Sequence, residues 1–93
     1  MKRHMRSFPP SPETQMIVPS GPGKVLHVTI SHNVSTSEKV VFYDRENKPL
    51  AHYLVHPLNS PYTITFSNRD VFSFFDWLQI NTGACSVNVI LLA

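Results

Sequence analysis

From Lys24 onward the chain alternates apolar and polar residues one by one. In "KVLHVTIS" Leu26, Val28 and Ile30 alternate with His27, Thr29 and Ser31. That period of two buries one face of an extended chain and leaves the other for solvent, so it specifies a β-strand and not a helix. "YTITF" repeats the pattern, with Tyr62, Ile64 and Phe66 set between Thr63 and Thr65. "EKVVFYDRE" differs. Val40 and Phe42 share one face and Val41 and Tyr43 the other, so this strand is expected to be covered on both sides or to contact a neighbour.

Turn chemistry divides the strands. "ENKP" at 46–49 makes residues 38–56 a hairpin. "LAHYLVH" is its second arm, with "YTITF" expected as that arm's further partner. "PLNSP" at 57–61 reads as a loop and "SNRD" at 67–70 as a turn. Two last strands, at about Trp77–Asn81 and Ser86–Leu92, flank "TGA". No convincing helix is present. "RDVFSFFDWL" has the residues for one turn, but its apolar spacing does not make a helical face. Six or seven short strands at this spacing define an antiparallel β-sandwich, jelly-roll-like, over residues 24–93. Its inner faces are expected to hold Leu26, Val28, Ile30, Tyr62, Ile64, Phe66, Leu78, Ile80, Val87 and Val89.

The first 23 residues read differently. Five of the eight prolines stand at 9, 10, 12, 19 and 22, with Gly21 and Gly23 among them. Proline has no amide to donate, so residues 1–23 are expected to form an extended Pro-rich arm and not an internal strand. Within it Met16, Ile17 and Val18 either add one edge strand or dock on another subunit. Fully extended, 23 residues reach about 75 Å at ~3.3 Å per residue. The arm is therefore expected to be disordered alone and ordered against a neighbour, and its deletion to leave the β domain folded.

Composition narrows the function. Charged residues are 15% of the chain and hydrophobic ones 42%, against about 25% charged in ordinary soluble domains. Either much of the surface faces protein, or Ser, Thr and Asn solvate it. Net charge is +2, and Lys2, Arg3 and Arg6 carry it, leaving five basic against six acidic side chains beyond them. Three charges are too few for a nucleic-acid interface, so no specific nucleic acid is expected. The N-terminus has a charged start with no apolar core behind it, and Val89–Ala93 is too short to span a bilayer, so neither secretion nor a membrane is expected.

Catalytic and metal constellations are absent from the spacing. His52 and His56 are roughly 13 Å apart on a strand at about 3.3 Å per residue, and His27 and His32 are separated likewise. Cys85 is the only cysteine, which rules out an intrachain disulfide. A thiol nucleophile with a histidine base is one reading of it, and a small buried thiol in an apolar strand is the simpler one. Glu13, Glu38, Asp44, Glu46, Asp70 and Asp76 pair no two carboxylates by spacing, and three glycines make no phosphate loop. The expectation is a non-enzyme with no metal and no cofactor. Most aromatics are expected in the core, but Phe74 and Phe75 are adjacent. On an extended chain they face opposite ways, so one of them is expected to meet another subunit.

"VVFYDRENKPLAHYLV", "YTITF" and "WLQINTGACSVNVIL" together resemble the small β-sandwich virion proteins of tailed bacteriophages. Val41, Phe42, Tyr43 and Asp44 match the family's V-x-L/F-Y-D strand, and Leu78, Ile80, Thr82, Gly83, Val87 and Val89 its terminal T-G-x-x-x-V-x-V strand. Trp77 stands where that pattern has glycine. The resemblance covers residues 24–93 and implies a capsid cement or decoration protein that binds the major capsid protein, located in the virion and, during assembly, in the host cytoplasm. It also implies a homotrimer. The alternatives are a neck or tail component, or a receptor- or carbohydrate-binding sandwich of a tail with Trp77 and tyrosines as stacking platforms. The residues expected to touch partners are Lys2, Arg3, Arg6, Phe8, Pro9, Pro10, Met16, Ile17, Val18, Phe74 and Phe75.

Overall fold

The computed structural model describes residues 2–32, 36–56, 62–67 and 72–93. Among them are nine strands and no helix: β1 (Arg3–Phe8), β2 (Gln15–Val18), β3 (Gly23–His32), β4 (Glu38–Tyr43), β5 (Pro49–Val55), β6 (Tyr62–Ser67), β7 (Ser73–Phe74), β8 (Leu78–Asn81) and β9 (Ser86–Leu92). One sheet has the order β1-β9-β3-β6, with the short β7 also pairing β3, and the other β2-β8-β4-β5. Every pairing is antiparallel.

The pairs β1·β9, β2·β8, β3·β6 and β4·β5 are the rungs of one long hairpin. Its middle is β4–β5, its open end β1 and β9, and it is wound so that successive rungs fall in alternate sheets. This winding makes the sandwich a jelly roll. It buries Val25, Val28, Ile30, Val40, Phe42, Leu78, Ile80 and Val89 completely, with Val87 and Leu91 nearly so. A run of four aromatic rings lies in the core, edge-on at Phe42 and tilted between Tyr53 and Phe66. Phe42 meets Phe72 at 5.1 Å and Tyr53 at 6.0 Å, and Tyr53 meets Phe66 at 4.5 Å.

The 1–23 segment is not a separate arm. β1 extends one sheet and β2 the other, and Phe8, Ile17 and Val18 are core residues. Prolines did not prevent this because each falls between strands. Pro9, Pro10 and Pro12 lie on the crossing from β1 to β2, and Pro19 and Pro22 on the crossing from β2 to β3, where no ladder amide is required. Of the two roles open to residues 16–18, the structure has the edge strand.

Three other expectations are corrected. The alternation in β3 breaks at a bulge between Val25 and His27. Leu26 is consequently only half-buried, and Val25 takes the inner place. β6 pairs β3 and not β5, so the two strands assigned to each other belong to opposite sheets. Ile64 faces inward but stands 39% exposed, because β6 is an edge. The 38–56 hairpin is present, with Val40 and Phe42 inside and Val41 covered on the outer face. The loop expected at 57–61 lies outside the described residues, as do positions 68–70 of the next turn and the side chain of Tyr62.

Candidate functional site

One end of the sandwich gathers the β4–β5 turn and the segment after β7. In the turn, the Asp44 carboxylate accepts hydrogen bonds from the amides of Glu46 and Lys48, each at 2.9 Å. Asn47 takes a left-handed φ of 61° that asparagine tolerates. Gln79 of β8 donates to the Asp44 carbonyl at 2.8 Å and to Asn47 Oδ1 at 3.1 Å, which ties this turn to its sheet. The turn is thus fixed by its own side chains, as its composition requires.

Opposite it, β7 places Phe74 in the core over Gly23, where a β-carbon would collide with the Phe74 ring and the Leu92 carbonyl. Phe75, the first residue past the end of β7, points outward and is 93% exposed. Asp76 accepts from the Gly21 amide at 3.2 Å and pairs with Arg45 at 3.0 Å. The Arg45 guanidinium lies 4.9 Å from the centre of the Trp77 ring. Both partners of this ion pair are more than half exposed, so it contributes at most about 1 kcal/mol. Its effect is positional: it holds one face of Trp77 under a cation. Asp44, Arg45, Glu46, Phe75, Asp76 and Trp77 line a cleft of about 330 Å³ there.

The residues expected to touch partners separate into two groups. Phe8, Ile17, Val18 and Phe74 are 4–8% exposed and belong to the core, so they are corrected from partner contacts to packing residues. Lys2, Arg3, Arg6, Pro9, Pro10, Met16 and Phe75 are exposed. Arg6 is also engaged within the fold, donating to the Ile17 carbonyl at 3.2 Å and lying 5.7 Å from the Phe8 ring centre. The structure does not bring the basic N-terminal residues and Phe75 together within one chain, since β1 and β7 lie at opposite edges of their sheet. Met5, Arg45, Asp76 and Leu54 were not legible as surface features. An exposed hydrophobic such as Met5 or Leu54, 71% and 58% exposed, leaves no mark in a two-residue period.

Histidine and cysteine chemistry also becomes concrete. Cys85 Sγ lies 3.5 Å from His32 Nδ1, and both side chains are buried. Burial pushes the Cys85 thiol up from its ordinary range, and the Glu38 carboxylate adds to the shift. A protonated, unreachable thiol is a poor nucleophile, so the pair packs as core. His27 and His52 stand on different sheets. Among the described residues no three His, Cys, Asp or Glu side chains are placed to hold a metal ion. Nor is any helix there long and apolar enough to cross a membrane.

The class defined by these observations is a single jelly-roll domain with an exposed aromatic beside a charged cleft. No protein-family model, curated protein or solved structure matches the chain.

Proposed function

We propose that this chain is a non-enzymatic structural protein of a virus particle, a capsid cement or decoration protein that stabilises a bacteriophage head by binding its major capsid protein. The observation that carries the proposal is the winding of the chain. An eight-strand rolled hairpin is the topology on which viral capsid and lectin domains are built, and here it supports the phage resemblance of residues 24–93. The surface agrees with a protein that works by covering area. It is poor in charge, and Phe75, Met5 and Leu54 lie exposed on it. The protein acts as a homo-oligomer, with a trimer implied by the same resemblance, and resides in the virion after assembly in the host cytoplasm.

The carbohydrate-binding alternative needs an open aromatic platform. Trp77 carries Arg45 over one face and Tyr53 is buried, which favours the structural reading. Heads of the encoding phage prepared without this protein provide the test. Added protein is expected to co-sediment with them to a saturating ratio and to raise their resistance to heat and to chelation. Absence of saturable binding to the heads refutes the proposal. Retention on a saccharide array in that case supports the lectin class instead.

A further inference from the structure

Met5 and Phe75 are the two most exposed large hydrophobics among the described residues, at 71% and 93%, and they stand at opposite edges of the same sheet. Arg3 pairs with Leu92, Leu92 with Lys24, and Lys24 with Ser73, so one cross-strand row runs from the β1 edge to the β7 edge. Three inter-strand steps of about 4.8 Å separate its ends. Met5 lies two residues beyond Arg3 and Phe75 two beyond Ser73 on segments that run in opposite directions, so the two exposed residues stand at opposite edges and are offset along the strands by roughly 13 Å at about 3.3 Å per residue.

The chemistry of the two edges is complementary. Lys2, Arg3 and Arg6 make the β1 edge basic, and no carboxylate precedes Glu13. Around Phe75 stand Asp44, Glu46 and Asp76, half of the chain's six carboxylates, against Arg45 and the neighbouring Lys48. Arg45 is already paired with Asp76. β1 also has no strand on its outer side among the described residues, leaving a row of backbone amides and carbonyls for a neighbour.

From this geometry we infer that the chain self-associates head to tail, the β1 edge of one copy with Lys2, Arg3 and Met5 seating against Phe75 and the acidic cleft of the next. A two-fold contact through Phe75 would set carboxylates against carboxylates. A heterologous contact sets them against lysine and arginine and repeats by rotation until a ring closes. The inference rests on the homo-oligomer reading and names the surface that serves it.

Sedimentation of the full chain at micromolar concentration is the first test. The wild type is expected to form a closed oligomer and Phe75→Asp to be a monomer that still melts cooperatively, because Phe75 takes no part in the core. Arg3→Glu is expected to weaken association at least tenfold. An unchanged oligomer in Phe75→Asp overturns this surface while leaving a homo-oligomer in place. A monomeric wild type overturns both, with attachment to heads measured separately. Cysteine pairing then fixes the sense of the contact. Met5→Cys mixed with Phe75→Cys is expected to give a covalent dimer on mild oxidation, and neither variant alone. Cross-linking of Phe75→Cys to itself, or none in the mixture, also overturns the inference. The native Cys85 is fully buried and does not interfere.

Discussion

Thr82 Oγ1 lies 3.1 Å from the carbonyl oxygen of Pro9, to which it donates, and accepts from the Ser11 amide at 3.1 Å. One buried hydroxyl thus holds the Pro-rich crossing between β1 and β2 against the turn that joins β8 to β9. Asn81 reinforces it, donating to the Pro12 carbonyl at 3.2 Å. The Ser11 amide has a second acceptor in the Gly83 carbonyl at 3.0 Å, so a missing hydroxyl orphans mainly Pro9. Thr82→Val is expected to cost about 1–2 kcal/mol in urea unfolding, with Thr82→Ser recovering most of it. A Thr82→Val protein as stable as the wild type would show that the clamp is incidental.

Gly23 faces the Phe74 ring and the Leu92 carbonyl more closely than a side chain permits. Gly23→Ala is expected to destabilise by about 1–3 kcal/mol through overpacking. Phe74→Leu in the same chain should not restore stability, because the Leu92 carbonyl belongs to the backbone and cannot move aside. Thermal melts of the single and double variants check both statements.

Deleting residues 1–22 is expected to abolish cooperative folding. Phe8, Ile17 and Val18 are buried, and at about 1.5–3 kcal/mol for each side chain their burial contributes roughly 4.5–9 kcal/mol, as much as the whole net stability of many domains. Loss of β1 and β2 would also bare β9 and β8 as new edges. Near-UV circular dichroism and the soluble yield of the truncated chain measure the effect, and a well-folded truncation would mean that the core tolerates the loss.

The buried Cys85 thiol makes alkaline stability a local reporter. Its folded pKa is raised above the ordinary 9.0, first by burial and then by Glu38, so the folded state holds a proton that the unfolded state releases. The contribution is fully present below pH 9 and is lost as pH rises from there through the folded pKa. Melting temperature is expected to fall more steeply above pH 9 in the wild type than in Cys85→Ala. Parallel slopes for the two proteins would remove the assignment.

The candidate site was only partly legible in the sequence. That Phe74 and Phe75 face opposite sides was expected from their adjacency, although Phe75 lies just past the end of β7. Which of them is inside depended on Gly23, far earlier in the chain, whose missing side chain leaves room for the Phe74 ring. Arg45 and Asp76 are unremarkable turn residues until the two ends of the sandwich bring them to 3.0 Å. His32 and Cys85 likewise meet only through the pairing of β3 with β9.

What the residues determined by themselves is local: alternation in β6, β9 and the part of β3 from Val28 onward, the turn at 46–49, the β4–β5 hairpin and the absence of helical spacing. These depend on backbone geometry and on neighbours a few positions away. Pairing over long separations was decided by the tertiary structure. β1 joins β9 and β2 joins β8 because the rolled hairpin leaves edges at those places, and a Pro-free strand of either parity fits an edge with one face covered. The prolines read as an arm because their effect is local, whereas the burial of Phe8, Ile17 and Val18 that folds this segment in is supplied by strands at the other end of the chain.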